Sequence, residues 1–385
     1  MSLNIQETYY GKKIDTVNIL NIEDAAKLIR GRKTVVITGV TGQDGSLMSD
    51  FLLEDTDYLI FGGVRRLSVY NHKNISHINN ERFRLINFDL TDSHAISRII
   101  EKLQPDYFIN FAAQSFVASS WDFARQTWQT NSTAVLDILE GVRLYKPDCR
   151  VYQAGSSEEF GNVSYIPQDE KHPSRPRSPY GASKAASRHL IKVYRESYNL
   201  YAIQGWLFNH EGKKRSEEFV TRKITKNVAR IYGLMKSNQT ISPMELGNIE
   251  AKRDWSDAED FVEGIWRMLN QEKFNPNYPG FPDEYVLSSN ETHSIREFVE
   301  KAFGYAGIKG KWANHTGKTE DEQYLSEGGE SLVKINPSFY RPAEVELLWG
   351  DSTRARKELG WKPKVSFDKL VEKMVYNDIN ALEVD

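Results

Sequence analysis

A short β-branched run, Thr34-Val-Val-Ile-Thr38, passes directly into Gly39-Val-Thr-Gly42-Gln-Asp-Gly45 and then into a helical pattern. No other feature restricts the fold as strongly. Consecutive β-branched residues suit a parallel strand covered on both faces. Glycines at this spacing permit a tight turn and a close backbone approach to a pyrophosphate, at the positive end of the following helix. A glycine triplet alone is a weak signal; its place between the first strand and a helix is what points to a dinucleotide. Gly39, Gly42 and Gly45, with Gln43 and Asp44 between them, are therefore candidate cofactor-binding residues.

The strand–helix pattern then repeats. Further strand candidates span 58–62, 83–88, 107–111 and 150–154, with helical periodicity at 46–53, 95–103 and 133–145. Such alternation predicts an α/β fold: a Rossmann-type doubly wound parallel sheet with a smaller C-terminal substrate-binding lobe. An N-terminal extension is placed at 1–32, with a short amphipathic helix within 21–30, packed on the domain or on a partner subunit. The nucleotide-binding domain is expected at 33–205, and a mainly substrate-binding lobe at 206–385, with segments returning to the first domain.

Composition narrows the partners. A net charge of −3 with mixed signs argues against general nucleic-acid binding. No apolar run approaches the ~20 residues required to span a bilayer. The first residues lack the charged start, apolar core and cleavage site of a secretory signal. The single cysteine, Cys149, rules out an internal disulfide and a cysteine-based zinc site, and no metal ligands are assigned. The expectation is a cytoplasmic protein with neither nucleic acid nor membrane as partner.

The end of the second strand discriminates between cofactors. An acidic residue there would serve the ribose 2′-hydroxyl of NAD. This chain instead has Gly62-Gly-Val-Arg65-Arg66-Leu-Ser68, two forked cations and a hydroxyl that match a 2′-phosphate. NADP is the expected cofactor, with Asp89, at the end of the third strand, as partner for the adenine amino group.

Two segments carry the chemistry. In Ser178-Pro-Tyr180-Gly-Ala-Ser-Lys184, tyrosine and lysine four apart share one helical face. The ammonium, with a positive nicotinamide ring, is expected to lower the phenol's pKa toward working pH, so that Tyr180 removes a hydroxyl proton as hydride leaves the same carbon. The second segment, Tyr152-Gln-Ala-Gly-Ser156-Ser157-Glu158-Glu-Phe-Gly161, ends the fifth strand, where α/β sheets bind ligands. Ser156 completes a Ser/Tyr/Lys set, and Glu158 is placed to act as a base toward a carbon acid. Its neighbour Glu159 is expected to face solvent.

With these motifs the chain resembles the GDP-mannose 4,6-dehydratases, within the extended short-chain dehydrogenase/reductases, from about Thr34 to Val365. The likeness includes Asn110-Phe-Ala-Ala-Gln114-Ser115, Leu207-Phe-Asn209-His210-Glu211 and Phe219-Val-Thr-Arg222-Lys223-Ile224. It continues through Gly247-Asn-Ile-Glu-Ala-Lys-Arg253-Asp254-Trp255 and Tyr340-Arg341-Pro-Ala-Glu344-Val345. The resemblance implies a redox-neutral dehydration of GDP-mannose or a related GDP-sugar. Tyr180 takes the 4-hydroxyl proton as hydride leaves C4, Glu158 removes the C5 proton as water leaves C6, and hydride returns to C6. It further implies that Leu90, Gln114, Ser115, Tyr180, Lys184 and His210 join the cofactor site. Ser115, Glu158, Asn209, Lys223, Arg253, Arg341 and Glu344 are the implied substrate ligands, with arginines on diphosphate and a carboxylate on guanine. Ser157 stands where dTDP-glucose dehydratases place an aspartate, which favours the GDP-mannose branch. Helices at about 121–145 and 184–198 would pair across a homodimer, with a homotetramer as the larger form.

The chain also departs from that pattern. Gly212-Lys-Lys-Arg215-Ser-Glu-Glu218 differs from the Arg-Arg-Gly loop by which the family reaches a neighbouring subunit's cofactor. Phe116 replaces a histidine and Gly155 a serine, and both are expected to reshape the sugar pocket. The N-terminal extension is longer than the family's. A GDP-manno-heptose dehydratase is therefore an alternative, as are a nucleotide-sugar epimerase or 4-keto reductase. A non-catalytic NADP-binding module would have no need of Ser156, Glu158, Tyr180 and Lys184.

Overall fold

The computed structural model describes residues 8–9, 12–13, 19–67, 71–271, 282–313, 316, 318, 321–340 and 347–382. At its centre lies an eight-stranded sheet in the order Val286–Leu287, Ala202–Leu207, Arg150–Ala154, Tyr107–Asn110, Thr34–Thr38, Leu59–Val64, Phe83–Asn87 and Ile19–Leu20. Every neighbouring pair is parallel. The chain steps outward from Thr34–Thr38 in one direction, then crosses back to Tyr107–Asn110 on its other side. That reversal opens a crevice at the strands' carboxyl ends, where such sheets bind ligands.

Thr34–Thr38 is buried along its whole length, which explains its unbroken β-branched sequence. Val35 and Ile37 pack into one apolar layer with Leu47 and Met48 of helix Gln43–Asp55 and Phe261 and Ile265 of helix Ala258–Leu269. Val36 faces the opposite layer, against Ile96 and Ile99 of helix Ser93–Leu103 and Ile138 and Val142 of helix Ala134–Tyr145. The period-2 alternation of a strand thus feeds two cores at once.

Several helices are longer than their periodicity announces. The expected 46–53 helix runs Gln43–Asp55, because Gly42 is its extended N-cap and Gln43 already lies in the first turn. The expected 133–145 helix is preceded by Ala124–Trp128 and a π-helical turn, Gln129–Thr133. Part of the N-terminal extension belongs to the sheet: Ile19–Leu20 adds an edge strand beside Phe83–Asn87. Helix Ile22–Ala26, capped by the Asn21 side chain, buries Ala25 against the Ser93–Leu103 layer.

Beyond Leu207 a third apolar core joins helices Val220–Lys236, Ile295–Tyr305 and Phe367–Leu382 to a four-stranded sheet. The chain returns to the large sheet through helix Ala258–Leu269, strand Val286–Leu287 and the segment from helix Thr353–Glu358 to Trp361. Among the described residues no helix is long and apolar enough to cross a membrane.

Candidate active site

The glycine turn divides its three glycines between two purposes. Gly39 holds φ +65°, and a Cβ there would meet Ala112 N at 2.7 Å. A Cβ on Gly45 would meet the Gly39 carbonyl oxygen at 2.5 Å. The fold itself requires both. Gly42 has φ −76°, open to any residue, and a Cβ there would meet only the Gly39 oxygen, at 3.2 Å. Relief of that contact needs a shift of only a few tenths of an ångström, so the fold demands glycine less at 42 than at 39 and 45, and the turn there fits the close approach of a pyrophosphate at a helix N-terminus. The buried Gln43 Oε1 has no hydrogen-bond partner among the described residues, while its Nε2 donates to the His210 carbonyl at 3.0 Å.

Asp44 and His210 form an ion pair of 3.0 Å that ties this turn to the Asn209–Glu211 strand. Burial works against the Asp44 charge, yet His210 and Arg215 hold its carboxyl down at about 2. Burial likewise opposes the His210 cation, and Asp44 raises its pKa above the ordinary value. Arg65 and Arg66 stand exposed just past Leu59–Val64, while Ser68 lies outside the described residues. Asp89 accepts from Thr91 N and Oγ1 at 2.9 and 2.8 Å, with Leu90 buried beside it.

Helix Pro179–Tyr198 starts where its sequence says it should, with Ser178 accepting from Gly181 N at 3.0 Å and Pro179 in the first turn. A Cβ on Gly181 would come within 2.6 Å of the Glu158 carbonyl oxygen. The start of this helix therefore lies directly on the Ser156–Glu158 turn and brings Tyr180 to it. Ser156 Oγ accepts from Glu158 N at 3.2 Å and also hydrogen-bonds Tyr180. Lys184, 2% exposed, donates to the Ala154 carbonyl at 2.8 Å, its Nζ 5.8 Å from the centre of the Tyr180 ring.

The expected lowering of the phenol's pKa calls on Lys184 and a positive nicotinamide ring together; the protein groups alone act the other way. Burial pushes Tyr180 up to about 12, the Ser156 hydrogen bond only partly opposing it. Burial also pushes Lys184 down to about 8, against the attraction of Glu159 and Asp44.

A correction concerns Glu159, for which the sequence suggests a solvent-facing position. It is wholly buried and paired with Arg188 at 2.6 Å. Gly155 also differs from expectation: its missing Cβ would point at the Gly205 carbonyl oxygen, 2.1 Å away, and not into an open pocket.

Asn131, which the periodicity concealed, braces the candidate site from behind. It lies in the π-helical turn, a feature that recurs at functional sites. Its amide clasps the Gln114 backbone, accepting from N and donating to O at 2.9 Å each, and reaches Ser183 Oγ at 3.2 Å. Gln114 is thereby fixed, while Ser115 is exposed.

Of the substrate candidates, Asn209 lies on the strand paired with Trp255–Asp257, close in sequence to the buried Arg253. Asn209 Oδ1 is buried without a partner among the described residues. Lys223, half-buried on helix Val220–Lys236, holds its ammonium 4.3 Å from the Phe339 ring, and burial pushes its pKa down. Arg341 and Glu344 lie outside the described residues. Phe116 packs edge-on to Phe219, whose ring carries the Arg215 guanidinium at 3.5 Å. The divergent 212–218 loop folds onto its own subunit, Lys214 donating to Ser46 Oγ at 2.7 Å and pairing with Asp50 at 2.8 Å.

The chain is similar to known proteins in sequence and in fold. The family model of GDP-mannose 4,6 dehydratase matches residues 36–374. A relative named GDP-mannose 4,6 dehydratase, from Drosophila melanogaster, is 42% identical over 91% of this chain and 87% of its own. Among solved structures, UDP-glucuronic acid 4-epimerase from Bacillus cereus, in complex with UDP-glucuronic acid and NAD, superposes with TM-score 0.72 at 21% identity, covering 91% of this chain and 99% of that one. RMD from Pseudomonas aeruginosa, complexed with NADPH, gives 0.68 at 20% identity, with the same coverages. At such identities the structures speak for the fold alone.

Proposed function

The chain belongs to the GDP-mannose 4,6-dehydratase family, and we propose that it performs that hydro-lyase reaction at the site built by Ser156, Glu158, Tyr180 and Lys184, with NADP as its nicotinamide cofactor. It converts GDP-mannose to GDP-4-keto-6-deoxymannose. The observation that supports the site assignment is the packing of this helix start on the Ser156–Glu158 turn, where a Cβ on Gly181 would lie 2.6 Å from the Glu158 carbonyl oxygen, Ser156 hydrogen-bonds Tyr180 and the Glu158 carboxylate acts electrostatically on the phenol. A phenol and a carboxylate on adjoining segments suit removal of the 4-hydroxyl proton and of the proton on the neighbouring C5.

When bound, the dinucleotide supplies an acceptor that takes hydride from C4 and returns it to C6, and a positive ring charge next to the phenol. The chain's residues handle the protons. Tyr180, held by Ser156, removes the 4-hydroxyl proton. The resulting 4-ketone acidifies C5–H, Glu158 removes that proton, and the C6 hydroxyl leaves as water. C5 regains a proton as C6 is reduced, so no net oxidation occurs. Arg253 and Lys223 supply cationic donors for the diphosphate, and Asn209 an amide whose oxygen awaits a donor. Arg341 and Glu344 are proposed to complete the nucleotide contacts.

The cofactor choice rests on Arg65 and Arg66. Replacing both by Glu is expected to weaken NADP binding by ~10–100-fold, equivalent to about 1.5–3 kcal/mol for charge-assisted hydrogen bonds. NAD binding should change far less. Fluorescence titration with each dinucleotide measures this; an equal loss for both would show that the arginines do not read the 2′-phosphate.

The same reading favours a homodimer. Helices Ala124–Trp128 and Pro179–Tyr198 and the segment leading into the first leave Trp121, Phe123, Trp128, Val193 and Tyr198 exposed. Large apolar side chains grouped in this way suit a self-complementary contact.

A further inference from the structure

We propose that Glu159 and Arg188 are a positioning pair that holds the Ser156–Glu158 turn in register with Tyr180. The proposal rests on the catalytic reading of Ser156, Glu158 and Tyr180 given above. Neither Glu159 nor Arg188 is placed to touch substrate; both act through that turn.

The geometry is a two-point grip. Tyr180, Lys184 and Arg188 follow one another at intervals of four on helix Pro179–Tyr198, so they lie along one face. Lys184 binds the Ala154 carbonyl at 2.8 Å. One turn further on, Arg188 Nε binds Glu159 at 2.6 Å. The segment carrying Ser156 and Glu158 is thus held at both ends by the helix that carries Tyr180. Between these anchors, Glu159 Oε1 accepts the Ser156 N–H at 2.8 Å and closes a capping box around the turn.

The pair is itself braced. Gln204 Nε2 donates to Glu159 at 3.0 Å, and Arg188 Nη1 donates to the Gln204 carbonyl at 2.6 Å. Glu284 joins Arg188 at 3.0 Å and Arg195 at 3.1 Å, and the Arg188 guanidinium lies 3.4 Å from the Trp206 ring centre. A Cβ on Gly155 would come within 2.9 Å of Arg188 Nη2. Glycine at 155 is required first by the Gly205 carbonyl oxygen, 2.1 Å from such a Cβ, and it also leaves room for this guanidinium.

Stability alone does not call for such a pair. Burying two charges gains little over well-packed apolar residues, whereas removing one partner is severe. What a forked, hydrogen-bonded ion pair adds is a fixed direction. Misplacing reacting groups by about 1 Å can cost on the order of 10²-fold in rate.

The test uses the full-length enzyme with its dinucleotide and GDP-mannose, in Glu159→Leu, Arg188→Met and the double variant. Arg188→Met should melt well below the parent, because Glu159 loses its ion-pair partner; Glu159→Leu should lose less, because Arg188 keeps Glu284, and the double variant should regain most of the Arg188→Met loss. The expected result is a stable double variant with kcat down on the order of 10²-fold and KM for GDP-mannose little changed, because the Lys223 and Arg253 contacts are untouched. A double variant with parental kcat would overturn the proposal and leave the pair a structural one. Should the double variant not fold, Glu159→Gln decides: it keeps the volume but has one acceptor to divide between Ser156 and Arg188. A fall in kcat of at least about tenfold at constant KM supports positioning, and an unchanged kcat overturns it. Glu158→Gln, run in parallel, separates the two readings. If Glu158→Gln turns over normally, the catalytic reading itself has failed; if it is inactive while the double variant is fully active, only the positioning has.

Discussion

Glu158→Gln is expected to lower kcat for dehydration by about 10²–10⁴-fold, the range that a positioned acid–base group contributes. Stability and KM for GDP-mannose should change little. The substitution keeps the side-chain volume, and the contacts that fix the turn use the Glu158 backbone: its N–H donates to Ser156 Oγ, and its carbonyl packs beneath Gly181. What is lost is the carboxylate charge, which acts on Tyr180, and with it the capacity to accept a proton. In deuterated water the parent enzyme should place deuterium at C5 of the product, because the proton removed there is replaced from solvent. The variant should not. Normal turnover by Glu158→Gln would remove this residue from the mechanism.

The second large effect is expected at the glycine turn, and it should split in two. Gly39→Ala forces a Cβ into a positive-φ position 2.7 Å from Ala112 N. Backbone strain of about 1–3 kcal/mol adds to overpacking of similar size, a destabilisation on the order of 2–6 kcal/mol. Gly42→Ala meets only the Gly39 oxygen at 3.2 Å. Its cost to the fold should be about 1 kcal/mol or less, the value of an exchanged N-cap. Its cost to dinucleotide binding should be larger, because the added methyl occupies the face offered to the pyrophosphate. Melting curves with and without NADP distinguish the two. Gly42→Ala would contradict the assignment if it bound the dinucleotide like the parent.

The parts of this protein legible in its sequence are the parts whose causes are local. Thr34–Thr38 with its glycines, and Tyr180 with Lys184 under the Ser178–Pro179 cap, declare themselves through spacing. Glu159 did not, because acidic residues usually lie exposed and its partner Arg188 is 29 residues distant. Arg188 reads as one more cation on a helix; only the fold shows that its face is buried. Asn131 was hidden by a π-helical turn, which breaks the period of 3.6 on which helical reading depends. The Ile19–Leu20 edge strand is two residues long, too short to show any alternation. Gly155 was read as a pocket residue because its position in the motif was known and its direction was not.

The most direct test of the account is incubation of the purified protein with GDP-mannose and a catalytic amount of NADP+, followed by mass spectrometry of the nucleotide sugar. The account predicts quantitative conversion to a product lighter by one water, with no accumulation of NADPH. GDP-mannose recovered unchanged would contradict it as the substrate. A product formed only with stoichiometric consumption of dinucleotide would contradict the redox-neutral mechanism.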